Sequence, residues 1–272
     1  ILADTEDLLD LLPPGGASYE QARRLYDWIE ELDVISLDEL TIPAEDVQLL
    51  VPLPAPRKML FLAGNYSKHL AERGYMTTER EETFPYVFTK PPSTTLTHPG
   101  DPIVIPEASP DQIDWECELG VVIGRRCRDV SEAEALDYVA GYTVVNDITA
   151  RDIQFSEAQW SRCKSFDGFT PNGPFVVTAD EIADPQDLHI WAVVDGQTVQ
   201  DASTGQMIRS VATLIAHLSQ SATLLPGTLI STGSPGGAGY SRDPQIFLRD
   251  RSVVTVGIDG IGELTTHCRI LD

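Results

Sequence analysis

Asp114-Trp115-Glu116-Cys117-Glu118-Leu119-Gly120-Val121-Val122 alternates acidic and apolar side chains before it passes into an apolar run. On a strand, successive side chains point to opposite faces, so Asp114, Glu116 and Glu118 share one side and Trp115, Cys117 and Leu119 the other. Same-side neighbours lie roughly 6.5–7 Å apart at Cα, near enough for two Glu arms to converge on one ion. Like charges at that spacing on an otherwise apolar strand repel one another, and a cation removes the conflict. A second apolar run, Tyr142-Thr143-Val144-Val145-Asn146, ends in Asp147 and places a third carboxylate at a strand terminus. Oxygen-only ligands favour Mg²⁺, Mn²⁺ or Ca²⁺ over zinc or copper. A solvated polar face on an edge strand explains the first segment equally well, so that segment by itself leaves both readings open.

Around this stretch, short β-type runs recur at Met59–Ala63, Tyr86–Thr89, Trp115–Ile123, Tyr142–Asn146, Gly173–Thr178, His189–Val194, Thr228–Thr232 and Ser252–Ile258, separated by Gly, Pro, Asn and Asp. The pattern predicts a mainly-β, α+β domain, a sandwich or closed roll. Capping-box pairs predict two helices within it, one from Ser131 with Glu134, the other from Ser203 with Gln206 and carrying Ile208, Val211, Leu214, Ile215 and Leu218 inward. Residues 1–54 read as a small leader, and 55–272 as the main domain. In the leader Ser18 and Gln21 form a capping box, and Ala22, Leu25, Trp28, Ile29 and Leu32 share a helical face. Pro52, Pro54 and Pro56 punctuate a linker.

The 272 residues carry 19 Lys and Arg against 42 Asp and Glu, a net charge of −23. The four lysines (Lys58, Lys68, Lys90, Lys164) form no basic cluster, which argues against nucleic acid and against an anionic membrane surface as partners. No apolar run reaches the roughly 20 residues that span a bilayer. The acidic start, Ile1 to Asp10, lacks the basic n-region of a signal peptide. Cys117, Cys127, Cys163 and Cys268 form no CxxC pair or zinc spacing, which fits a reducing cytosol. A cytoplasmic protein is expected. One that handles an anionic substrate must supply positive charge locally, from a metal or a few placed Arg and Lys residues.

The ordered set of motifs resembles the fumarylacetoacetate hydrolase family over nearly all of 58–272. It comprises Gly64-Asn65-Tyr66-Ser67-Lys68-His69-Leu70-Ala71-Glu72, Phe88-Thr89-Lys90-Pro91-Pro92-Ser93, Asp114 to Leu119, Asn146-Asp147-Ile148-Thr149-Ala150-Arg151-Asp152, Lys164-Ser165-Phe166-Asp167 and Thr232-Gly233-Ser234-Pro235. The resemblance implies a β-sandwich roll, a homodimer, and Mg²⁺ or Mn²⁺ held by Glu116, Glu118 and Asp147. It further implies that Lys164 points into the site, and that Arg151 and Gln154 contact substrate oxygens. Ser234 stands where the family usually has Thr; the hydroxyl is kept for a substrate carboxylate. Arg151 has a competing role as a structural partner of a nearby carboxylate.

The chemistry this implies is action on a small anionic 2-oxo acid, whose 1-carboxylate and 2-oxo group chelate a metal acting as Lewis acid. Hydrolysis of an acylpyruvate-like 2,4-dioxo acid leads. Decarboxylation or isomerisation of a 2-oxo or hydroxymuconate-type diacid, oxaloacetate included, is the alternative, and a non-catalytic metal and oxo-acid binder is a third. His69 and Glu72, three apart on a short helix, are candidates for moving the proton, with Glu72 orienting the imidazole. Ala71 to Thr83, with Gly74 as hinge, reads as a lid. The loop from Thr232 to Gly239 lacks a P-loop ending, so nucleotide binding is rejected. His98, His189, His217 and His267 lack ligand spacing, His217 reads as structural, and the cysteines lack a His partner for a thiol nucleophile.

Overall fold

The computed structural model describes residues 8–33, 37, 40–72, 83–84 and 86–271. Strands are β1 (Lys58–Ala63), β2 (Tyr86–Thr89), β3 (Leu96–Thr97), β4 (Ile103–Val104), β5 (Ile113–Asp114), β6 (Cys117–Ile123) and β7 (Val139–Asn146) in the first half. They continue with β8 (Thr149–Ala150), β9 (Thr170–Thr178), β10 (His189–Val194), β11 (Gln197–Ser203), β12 (Thr228–Ser231), β13 (Val253–Ile258) and β14 (Gly262–Arg269). Seven form a mixed sheet in the order β2-β1-β12-β6-β7-β9-β3, and five form a second in the order β11-β10-β13-β14-β4. The expected mainly-β roll is what the chain forms.

β6 explains why the sheets stack. Its whole length is buried, so both faces are covered. Cys117, Leu119, Val121 and Ile123 face the large core shared with Ile190, Ala192, Val254 and Val256 of the second sheet. Val122, on the other side, joins Met59, Phe61, Phe88, Val145 and Leu229 in a smaller cluster under Leu9, Leu12 and Leu53. The proline-rich segment is therefore docked: Val51 and Leu53 are buried in it.

Several expected helices differ. The leader helix Ala17–Glu30 starts from Gly16 with no side-chain cap, so the Ser18–Gln21 box does not form. Its stripe is only partly covered: Ala22, Leu25, Ile29 and Leu32 are half-buried and Trp28 is exposed. Ser131 does bond Glu134 (2.6 Å), but the turn that follows, Ala135–Tyr138, is a single 3₁₀ turn. Ser203 opens only the 3₁₀ turn Thr204–Gln206. The α-helix proper, Val211–Ser221, is capped by Ser210, whose Oγ accepts from the Thr213 N–H at 3.1 Å. Ser-x-x-Gln competed with a Ser-x-x-Thr seven residues later, and the apolar run Val211–Ile215 decided for the second.

Candidate active site and metal centre

Strand register assembles the carboxylates. β6 and β7 are antiparallel with Cys117 opposite Asn146, so the flanking Glu116 and Asp147 lie side by side, joined by a 2.9 Å bond from the Asp147 N–H to the Glu116 carbonyl. Glu118 projects on the Glu116 side. Each of Glu116, Glu118 and Asp147 offers an oxygen within 4.8 Å of the other two, and all three residues are buried. Glu118 is steadied by the Ser231 hydroxyl (2.6 Å) and the Gly233 N–H (3.0 Å), both at the end of the neighbouring β12.

Three buried cations surround this cluster. Lys164, the last residue of the helix Ser161–Lys164, donates to Glu116 Oε2 (2.6 Å) and Asp147 Oδ2 (2.5 Å). Lys90, directly after β2, donates to Asp147 Oδ1 (2.7 Å) and to the Phe169 carbonyl (2.5 Å). Arg151 donates to Asp114 (2.7 Å), Glu116 (2.8 Å) and the Gln154 side-chain carbonyl (2.9 Å), with its guanidinium 4.3 Å from the centre of the Tyr240 ring.

The result is a polarised set of acids. Burial pushes Glu116 up, but the charges of Lys164 and Arg151 outweigh it and hold the carboxyl well below its usual range. Glu118 goes the other way: burial, then the charges of Asp147 and Glu116, push it well above. A divalent cation among the three oxygens reverses the sign of that last effect. Three clustered hard oxygens, one of them destabilised as an anion by its neighbours, fit Mg²⁺ or Mn²⁺ as the resident group.

His69 and Glu72 lie on the short helix Ser67–Glu72 after β1, with His69 Nδ1 3.3 Å from Glu72 Oε2. The other ring nitrogen faces the cluster, 3.7 Å from Glu116 Oε1. Burial raises Glu72, yet its contacts with His69 and the Gly237 N–H (2.8 Å) leave it below its ordinary value. His69, Glu116, Glu118, Gln154, Lys164 and Ser234 line one small cavity, together with Leu62, Ala63, Gly64, Phe88 and Trp160. The Ser234 hydroxyl takes a 2.8 Å bond from Gln200, whose side-chain carbonyl accepts from the Cys117 N–H at 2.9 Å.

Two expectations about individual residues change. Arg151, expected at the substrate, donates from Nε and both terminal nitrogens to protein groups and does not line the cavity; its competing role as a carboxylate partner is the one seen. Asp114 does not extend the metal-facing row: β5 ends there, and its carboxylate accepts from the N–H groups of Trp115 (2.9 Å), Gly239 (2.7 Å) and Tyr240 (3.1 Å) besides Arg151. Lys90 was given no role by the sequence, although a rare lysine directly after an apolar run was its visible signal. The expected lid, 71–83, with Gly74, falls almost wholly outside the described residues. Cys117 is buried and its thiol pushed up by that burial; Cys163 is pushed up to about 11, so neither is a ready nucleophile. His98 accepts from the Val51 N–H (2.9 Å), His217 stacks on Phe84, and His189 sits between Asp201 and Asp259, all away from the cluster.

Residues 58–269 match the family described as fumarylacetoacetate (FAA) hydrolase C-terminal. The chain belongs to the fumarylacetoacetate hydrolase family. Among its relatives is a putative hydrolase of Burkholderia lata, 46% identical over 214 residues, 78% of this chain and 74% of that protein. Among solved structures, 2-hydroxyhepta-2,4-diene-1,7-dioate isomerase from Mycobacterium marinum is 38% identical, with a TM-score of 0.72 over 84% of this chain and 80% of the other. Maleylpyruvate hydrolase from Sphingobium sp. SYK-6, in complex with manganese(II) ion and pyruvate, is 28% identical, with a TM-score of 0.77 over 97% and 86%. The fumarylacetoacetate hydrolase fold thus carries both hydrolases and isomerases among this chain's neighbours. Among the described residues no helix is long and apolar enough to cross a membrane.

Proposed function

We propose that this fumarylacetoacetate hydrolase family member is a divalent-metal-dependent enzyme that hydrolyses the C–C bond of an acylpyruvate-like 2,4-dioxo acid. The observation that carries the reading is one cavity lined by two of the three clustered carboxylates, by Lys164 and by His69 backed by Glu72. Bound by Glu116, Glu118 and Asp147, Mg²⁺ or Mn²⁺ supplies Lewis-acid stabilisation of negative charge on the substrate's 2-oxo oxygen.

The chain's own residues supply the rest. Gln154 and Ser234 orient the carboxylate end. His69 takes a proton from water as its oxygen bonds to the C4 carbonyl carbon; Glu72 fixes the imidazole and balances the imidazolium. The C3–C4 bond then breaks, its electron pair passes to C3 as pyruvate enolate, and the C4 fragment leaves as a carboxylic acid. The Lys164 ammonium offsets the developing charge, and His69 returns its proton to C3. Arg151 acts indirectly by holding Glu116 in place.

Isomerisation of a 2-oxo diacid is the second reading, favoured by the isomerase neighbour at 38% identity; it moves protons without a nucleophilic water. The test is a panel of acylpyruvates, oxaloacetate and hydroxymuconate-type diacids with Mg²⁺ or Mn²⁺, following pyruvate, CO₂ and the diene absorbance separately. Hydrolysis predicts pyruvate without CO₂, loss of activity in EDTA, and a drop of about 10²–10⁴-fold in His69→Gln with the metal-induced thermal shift retained. Activity indifferent to EDTA, or to His69→Gln, overturns the reading.

A further inference from the structure

One side of the cavity is aromatic, and its layout bears on which 2-oxo acids enter. The Phe88 ring lies 5.1 Å from the Lys164 ammonium, the Trp160 ring centre is 6.0 Å from that of Phe88, and the Tyr86 ring is 5.0 Å beyond Trp160. Phe88 is buried, Trp160 half-buried and Tyr86 40% exposed. The three rings therefore run as a strip from the charged cluster to solvent. Ala63, paired with Tyr86 across β1 and β2, and its neighbour Leu62 also line the cavity.

Among the described residues lining the cavity, Lys164 is the one fixed cation, and Glu116 and Asp147 already hold its ammonium. A carboxylate on the far end of a substrate would give up water for ring faces and aliphatic carbon, with no unpaired cation to meet it among the described residues lining the cavity, an unfavourable exchange.

We propose that Trp160, with Phe88 and Tyr86, is the specificity-determining wall for an uncharged, apolar acyl tail, so that the preferred substrate carries one carboxylate and diacids are disfavoured. This rests on the 2-oxo acid reading of the site. A tail laid along the strip exchanges water for rings, and each methylene so buried is worth about fourfold in affinity.

Calorimetric titration of the full chain with Mg²⁺ and non-hydrolysable 2-oxo acids tests this without requiring turnover. From 2-oxobutanoate to 2-oxohexanoate, two methylenes longer, Kd falls by up to about 15-fold. 2-Oxoadipate, of the same chain length but with a terminal carboxylate, binds at least about tenfold more weakly than 2-oxohexanoate. Trp160→Ala flattens the length dependence, and Trp160→Phe restores most of it. Equal or tighter binding of 2-oxoadipate by the unaltered protein overturns the proposal, as does a length dependence that survives Trp160→Ala. If the affinity ladder is found but no acylpyruvate releases pyruvate, tail selection stands and the hydrolytic reading fails.

Discussion

Lys90→Met removes a buried charge while keeping most of the side-chain stem, and its cost follows from what Lys90 holds. The ammonium bonds Asp147 Oδ1 at 2.7 Å and the Phe169 carbonyl at 2.5 Å, in a site where both charged side chains are essentially solvent-free. Burial lowers the Lys90 pKa and the charge of Asp147 opposes that, so the pair stands on mutual compensation. Removing one partner of such a pair costs about 3–5 kcal/mol because the other charge stays buried. Asp147 keeps Lys164 on its second oxygen at 2.5 Å, so the low end, about 3 kcal/mol, applies. At about 2–4 °C per kcal/mol for a chain of this size, the melting temperature in EDTA drops by about 6–12 °C.

A divalent metal should recover part of that loss. At a hundredfold excess over Kd, ligand binding contributes about 2.7 kcal/mol to the unaltered protein. The contribution grows in Lys90→Met, where Asp147 has lost one of its two cations and the repulsion of an incoming metal by Lys90 is gone. Thermal melts of both proteins in EDTA and in MnCl₂ measure the two shifts side by side. A drop under about 2 °C in EDTA, or a Mn²⁺-induced shift no larger than that of the unaltered protein, refutes the reasoning.

Glu118→Gln separates stability from metal binding. Burial and then Asp147 and Glu116 raise the Glu118 pKa above its unfolded value, so its contribution to stability is full in acid and is lost as pH rises through the folded pKa. The amide removes that loss, and in EDTA the variant should gain melting temperature relative to the unaltered protein between about pH 5 and pH 8, while its Mn²⁺-induced shift disappears. His189, bonded by Asp201 first and also by Asp259, has a raised pKa. His189→Gln should therefore cost stability at acidic pH and nothing above the folded pKa. Since the side chain is 46% exposed, the cost stays under about 1 kcal/mol, visible as a melting difference that closes with rising pH. Gly239→Ala would drive a Cβ into the Ile246 carbonyl oxygen and within 2.9 Å of Asp114 Oδ1 and Trp115, displacing the seat of Arg151. A stability loss toward the top of the range of about 1–3 kcal/mol, together with lower metal affinity by calorimetry, is expected.

The carboxylates were legible because a strand of period two displays them: Glu116 and Glu118 sit two apart in an otherwise apolar segment, and Asp147 ends the next one. The strands Tyr86–Thr89 and His189–Val194 were legible to the residue for the same reason. Gln197–Ser203 and Gly262–Arg269 were not, since the inward positions of Gly262–Arg269 include the polar Thr266 between Leu264 and Cys268, which blurs the apolar alternation. One helix start was read one box too early, because Ser203 opens only the single turn Thr204–Gln206, and the Ser131–Glu134 pair precedes a single turn, Ala135–Tyr138, that has no side-chain cap.

What sequence spacing cannot carry is the pairing of the cations, since Lys90 and Arg151 are 57 and 35 residues from the acids they neutralise. Their partners become visible only when β6–β7 register brings Glu116 beside Asp147. That register also divides the labour among the acids. Asp114, at the end of β5, is saturated by the three N–H groups of Trp115, Gly239 and Tyr240 and by Arg151, and so behaves as a structural anchor. Glu118, bonded to the Ser231 hydroxyl and the Gly233 N–H and pushed up by burial and then by the charges of Asp147 and Glu116, is the acid left most in need of a cation. Two acids four residues apart on one segment thus acquire opposite tasks from their surroundings, and the difference predicts which substitution should abolish the metal-induced shift, Glu118→Gln, and which should unseat Arg151 first, Asp114→Asn.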